Sequence, residues 1–154
     1  IVVNANRGSG LKYSFSKIIV PNPCTSEVFL KACEYDDSQN ICQGCHGYGE
    51  CMIMNNRSAP QYNKAVYSFT LSSACVYEVY IQYAAAAKRP IKIIMNGKVV
   101  SESGCNGTTG GWESKFAKLE YQCLVSGQKG SNTIILERGA EFPHIQAIKL
   151  VLKK

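Results

Sequence analysis

The chain carries one tryptophan and two histidines, so chemistry that needs either ring has few places to go. Trp112 stands in Thr108-Thr109-Gly110-Gly111-Trp112-Glu113-Ser114, a stretch whose glycines and polar residues read as a loop. An indole held outward by such a loop is a flat, electron-rich plate. It matches the apolar C–H face of a pyranose in shape and leaves the sugar hydroxyls free for polar contacts. His144 brings one donor and one acceptor in its neutral form. Arg89, in the turn Lys88-Arg89-Pro90, presents forked donors suited to paired hydroxyls or to a carboxylate.

Other chemistries find less support. Cys42-Gln43-Gly44-Cys45-His46 has the spacing of a haem c attachment and of half a zinc site. Gly44, Gly47 and Gly49 oppose the helix that haem attachment uses, and four well-placed zinc ligands are not apparent. Asp36-Asp37, Glu102 and Glu113 are carboxylates of the kind that glycosidases set across a bond, and their spacing reads as surface charge. There is no nucleophile elbow, phosphate-binding loop or H-E-x-x-H pattern, and no local signature joins His, Ser and Asp as a triad. The reading is that the protein is not an enzyme.

The elements that must position these groups are strands. Ala65 to Leu71 alternates, and so does Val76 to Tyr83, with Tyr77, Val79, Ile81 and Tyr83 on one side. This is the period of two expected of half-buried strands. Ile91 to Met95 and Lys98-Val99-Val100 flank Asn96-Gly97, a strong hairpin signal because a type I′ turn needs positive φ at both central residues. Lys118 to Leu124, Asn132 to Glu137 and His144 to Leu152 follow, the last apolar on both faces and therefore central. Ile18-Ile19-Val20 and Val28-Phe29-Leu30 are strand-like as well. No segment keeps a long 3.6-residue period. The fold class is all-β, a β-sandwich or jelly roll. Residues 34–51, dense in Cys and Gly, read as a disulfide-tied loop region of one domain spanning 1–154.

Cys24, Cys33, Cys42, Cys45, Cys51, Cys75, Cys105 and Cys123 make an even set in loop-like surroundings and are expected to form disulfides, with the pairing open. That points to an oxidising compartment and a secreted protein. Asn56-Arg57-Ser58 and Asn106-Gly107-Thr108 fit the N-glycosylation pattern, which agrees. The chain starts at Ile1 without a signal-peptide progression and is read as already processed. No apolar run approaches the roughly 20 residues of a membrane span, so membrane insertion is not expected. Net charge is +6, with Lys and Arg spread singly. That pattern disfavours nucleic acid and leaves an attraction to acidic glycans open.

Several phrases occur in an order that resembles carbohydrate-binding modules of families 6 and 35. They are Val66-Tyr67-Ser68-Phe69, Tyr77 to Ala84, Arg89-Pro90-Ile91, Met95-Asn96-Gly97, Gly110-Gly111-Trp112, Gly130 to Ile134 and Pro143-His144-Ile145. The resemblance covers residues 33–152, with Glu34 to Ser38 as the opening strand, and implies a galactose-binding-domain-like sandwich. It implies a sugar site in loops at one end. There Trp112 matches the aromatic loop and His144 stands where the family has an asparagine. Arg89 and Lys88 border the site, and Tyr62 is a second aromatic. The family's structural calcium uses a carboxylate on the first strand and one on the last. Glu34 can supply the first, but Gln146 replaces the second, so calcium is not expected and no other cofactor is implied.

The expectation is a secreted lectin for galactose or N-acetylgalactosamine type termini, with an acidic sugar as second choice. A non-catalytic matrix or immune interaction module is the alternative, and a fragment of a glycan-degrading enzyme the third reading. Because one shallow sugar site binds weakly, a homo-oligomer is expected, with residues 1–30 as an assembly arm or added edge strand.

Overall fold

The computed structural model describes residues 23–56 and 61–154. Eleven strands are present among them: β1 (Glu27–Lys31), β2 (Asp37–Gln39), β3 (Ile41–Gln43), β4 (Ile53–Asn55), β5 (Asn63–Leu71), β6 (Cys75–Ala84), β7 (Ile91–Met95), β8 (Lys98–Gly104), β9 (Lys118–Gly127), β10 (Gly130–Arg138) and β11 (His144–Leu152). Two short 3-10 turns, Cys45–Gly47 and Ser114–Phe116, complete the regular structure.

The alternation seen in the sequence becomes the core. Tyr77, Val79, Ile81 and Tyr83 of β6 are fully buried, as are Ile91 and Ile93 of β7 and Ile134 and Leu136 of β10. The strands form two antiparallel sheets. One has the order β3-β4-β11-β6-β9, with β1 also paired to β11; the other has the order β2-β5-β10-β7-β8. The apolar faces pack against each other, as in β-sandwiches. β11 lies inside its sheet, bonded to β6 on one side and to β1 and β4 on the other; Ile145, Ile148 and Leu150 enter the core, while Lys149 turns to the outer face and pairs with Glu27. Asn96 and Gly97 adopt φ of 50° and 78°, so the β7–β8 hairpin has the expected turn. Buried Asn132 closes the β9–β10 turn, accepting from the Gln128 N–H and donating to the Gln128 and Gly130 carbonyls.

Two expectations need adjustment. The opening strand begins at Asp37 and not at Glu34, because the Glu34 N–H turns back onto the Lys31 carbonyl. Three disulfides form, Cys24–Cys75, Cys33–Cys51 and Cys42–Cys45, whereas Cys105 and Cys123 are free thiols and not bridged as expected. Both pack into the main core, and burial pushes the Cys123 thiol up to about 11 and that of Cys105 well above its usual value. They act as small hydrophobes. Val28-Phe29-Leu30 falls in β1, while Ile18-Ile19-Val20 and the rest of residues 1–22 lie outside the described residues, as do Arg57 and Ser58 of the first sequon.

Candidate functional site

Four segments meet at the end of the sandwich where β6 finishes and β11 starts, His144 standing opposite Ala84. The first is the loop after β8. Thr109 pins it to the end of β6, its N–H donating to the Ala85 carbonyl at 2.8 Å and its hydroxyl accepting from the Ala85 N–H at 2.9 Å. Gly110 adopts φ of 105°, and a Cβ at Gly111 would run into the Phe116 ring, so the glycines before Trp112 are required by the path of the chain.

Trp112 then serves as a platform. It is partly buried and packs against the main core. The Arg89 guanidinium carbon lies 4.0 Å from its ring centroid, covering one face of the indole in a cation–π arrangement. Arg89 is held there by donating from Nη1 to the Phe142 carbonyl at 3.0 Å. The His144 ring lies 4.9 Å from the indole and 4.6 Å from the Tyr48 ring.

His144 Nδ1 is 2.7 Å from the Trp112 carbonyl oxygen. A carbonyl only accepts, so Nδ1 carries the proton, and in the neutral ring Nε2 is left as an acceptor. Burial lowers the pKa of His144 below its usual value, opposed by the bond to the Trp112 carbonyl and reinforced by the charge of Arg89. The ring is therefore neutral at pH 7.

The last contribution comes from the cysteine-rich segment. The Tyr48 carbonyl accepts from the Ser114 N–H at 2.9 Å, locking this segment to the Trp112 loop. The Cys42–Cys45 and Cys33–Cys51 bridges bracket it. Gly44 at φ 61° has no room for a Cβ beside the Glu50 carbonyl. Asn55 accepts from the Phe142 N–H at 3.0 Å, and buried Asn63 donates to the Ala140 carbonyl; both hold the loop that leads into His144.

Together these segments enclose a cavity of about 580 Å³. Arg89, His144, Tyr48 and His46 line one part of it, and Met54, Asn55, Asn56 and Gln61 the rest. No carboxylate is among these residues. The charge of Glu141, in the loop before β11, acts on Arg89. Cationic, imidazole and amide groups around an aromatic wall suit a polyhydroxylated ligand of neutral or negative charge.

Of the residues singled out in the sequence, Trp112, His144 and Arg89 come together. Lys88 is exposed and does not line the cavity. Tyr62 lies elsewhere, in a second cavity of about 440 Å³ with Lys92, Glu102, Glu137 and Arg138. Its hydroxyl donates to Glu137, and burial together with that carboxylate pushes the phenol up to about 12. Tyr48, Asn55 and Gln61 were missed, and His46 and Asn56 were singled out for other roles than lining this cavity. The available signal was an aromatic and a histidine inside a glycine-rich segment tied by cysteines. Asn56 and Asn106, the sequon asparagines, are both exposed, Asn56 at the cavity itself.

The remaining candidates are engaged elsewhere. Cys42 and Cys45 are bonded to each other, which removes both thiolates from haem or zinc chemistry. Asp37 pairs with Lys64, Glu102 with Lys92 and Glu113 with Lys115, and Asp36 accepts from the Ser68 N–H. Glu34, the first donor suggested for calcium, is exposed and paired with Lys31 at 2.9 Å. Among the described residues no cluster of three or more His, Cys, Asp or Glu is arranged for a metal, and no helix is long and apolar enough to cross a membrane.

No protein-family model matches the chain, and no curated protein does. Solved structures do. A family 35 carbohydrate-binding module from Clostridium thermocellum superposes with a TM-score of 0.68 at 22% identity, over 82% of this chain and 98% of that one. A second family 35 module, solved with a disaccharide containing glucuronic acid, gives 0.59 at 20% identity, over 80% and 92%. A Podospora anserina mannanase that joins a family 26 glycoside hydrolase to a family 35 module gives 0.62 at 15% identity, over 84% of this chain; the chain spans 28% of that protein. The chain has the fold of these modules.

Proposed function

We propose that this protein is a lectin that binds a glycan terminus in the cavity at the loop end of the sandwich. The observation that carries this reading is the preorganisation of Arg89 and His144. Each spends one nitrogen on a backbone carbonyl, and each lines a cavity of sugar size beside Tyr48. Binding then costs little reordering of side chains. The His144 Nε2 accepts from a sugar hydroxyl, the amide of Gln61 exchanges bonds with others, and Tyr48 offers apolar surface to the ring.

The fold analogy makes galactose and N-acetylgalactosamine termini the first ligands to test. A specific observation favours a second choice, a sugar bearing a carboxylate. Arg89 is in the wall, no carboxylate is among the lining residues, and the chain is basic overall. Its forked donors match a carboxylate in geometry as well as charge. Glucuronic acid is also part of the disaccharide seen with one structural neighbour. The reading is of binding without turnover; among the described residues that line the cavity none is a carboxylate. Three disulfides support a secreted setting.

A glycan array on the native protein tests this. Binding to galactose-type or uronic-acid termini, lost in Arg89→Ala, is the expected result. A blank array at high protein concentration contradicts it and favours an interaction module that does not use sugars.

A further inference from the structure

Seven large hydrophobic side chains are exposed among the described residues, and five of them share one surface. Phe29, Val76, Leu119, Tyr121 and Leu124 lie on the outer face of the sheet containing β1, β11, β6 and β9. Their outward direction follows from the inward one of their neighbours. Val28 and Leu30 of β1 pack on the core, as do Tyr77 and Val79 of β6, and Leu124 stands between inward Cys123 and Val125 of β9. A bulge at Val79–Tyr80 then shifts the register, so Tyr121 and Leu119, opposite outward Tyr80 and Gln82, face out as well. Isolated exposed hydrophobics need no explanation, but a contiguous set on one sheet face marks an interaction surface.

The register gives that surface a pattern. Phe29 stands opposite Lys149, Lys149 opposite Tyr80, and Tyr80 opposite Tyr121, so the four side chains form one row across four strands. Tyr80 and Tyr121 touch edge to face, 5.8 Å between centroids. The row reads ring, cation, ring, ring. Turned about a two-fold axis that runs along the strands between β11 and β6, it meets its own reverse. Phe29 then faces the partner's Tyr121, and Lys149 faces the partner's Tyr80. The first is an aromatic pair and the second a cation–π pair, each made twice, which is the self-complementarity an isologous interface demands. The acids on the next row do not oppose this. Glu27 is paired with Lys149 at 2.8 Å, and Glu78 accepts from the Tyr80 hydroxyl at 2.9 Å.

We propose that this face is the contact between two copies of the chain, arranged as a two-fold dimer around Phe29, Lys149, Tyr80 and Tyr121. The proposal does not depend on the sugar-binding reading. Lys149 lies five residues along β11 from His144, so the row and the cavity sit at different levels of the strand.

The test is the mass of the full chain in solution by light scattering after gel filtration, over a range of concentrations. The expected mass is twice that of the 16.9 kDa chain, and Tyr121→Lys reduces it to one chain at concentrations at least tenfold above those where wild type is paired. Phe29→Lys does the same from the other end of the row, and thermal melting reports whether each variant is folded. Val99→Lys, on an exposed position of the other sheet, leaves the dimer intact. A wild type that stays monomeric throughout, or folded Tyr121→Lys and Phe29→Lys variants that stay dimeric, overturns the proposal. A monomer that binds insoluble polysaccharide and loses it in Tyr121→Lys also overturns it, in favour of a glycan platform.

Discussion

The two cavities hold similar side chains and use them differently. Each has an arginine and a tyrosine in its wall. In the smaller one the side chains other than Arg138 are matched with one another, and Arg138 is held by backbone as Arg89 is. Tyr62 donates to Glu137, Lys92 stands 3.5 Å from Glu137 and 4.0 Å from Glu102, and Arg138 donates to the Pro90 carbonyl. At the loop end the scaffold itself satisfies one side of each group, through the Phe142 carbonyl for Arg89 and the Trp112 carbonyl for His144. A group fixed by backbone on one side keeps bonding capacity on the other, whereas charges paired with each other have little to offer a ligand that must compete with them.

This contrast can be broken most forcefully at Arg89. Arg89→Ala is expected to weaken glycan binding about 10- to 100-fold, the loss of a hydrogen bond to a charged group. Arg89→Lys recovers little, since an ammonium has neither the fork nor the flat face that rests on Trp112. Calorimetric titration with a glycan from the array measures both. Unchanged affinity in Arg89→Ala would place the ligand elsewhere.

The next effect concerns Trp112. Because the indole packs on the core and carries Arg89, Trp112→Ala is expected to cost about 2–3 kcal/mol of stability and to weaken binding as well. Urea unfolding and titration, run together, test this. A variant of normal stability that has lost all binding would show the indole to be a sugar platform and not a support.

His144 sharpens the comparison through pH. Its folded-state pKa lies below the usual 6.5, so the unfolded chain takes the proton first as pH falls. The stability contributed is complete above about 6.5 and declines below it, down to the depressed value in the folded protein. Binding through a neutral Nε2 holds above neutrality and is lost as the folded-state ring titrates. Melting temperature and affinity measured across this range should both fall on the acid side, and His144→Gln should flatten the drop in affinity. The smallest effect is expected at the other cavity, where Tyr62→Phe changes affinity less than about twofold, a group outside the site adding little.

Much of the sandwich was legible because one physical rule, alternate burial along a strand, repeats over β5, β6, β7 and β10. The Asn96-Gly97 hairpin was legible from its turn chemistry. Within the site, Trp112, His144 and Arg89 could be named individually, since rare residues beside glycine or proline stand out. Their arrangement could not, because the stacking of Arg89 on Trp112 joins loops that only the fold brings together. The same holds for Tyr48 and His46. Their segment looks like plain disulfide-tied loop until the Ser114 to Tyr48 bond draws it to the Trp112 loop. Tyr62 was misplaced because proximity in the chain to β5 does not say at which side of the strand end a side chain emerges. The cysteines mislead for a different reason: a buried thiol and half a disulfide are the same letter, and Cys105 and Cys123 are buried thiols.

The most direct test of the account is a two-dimensional amide and side-chain NMR titration of the native protein with a glycan that it binds. The account predicts the largest shifts at Tyr48, Asn56, Gln61, Arg89 and His144. Shifts confined to Tyr62, Lys92, Glu102 and Glu137, with the loop end unmoved, would contradict it.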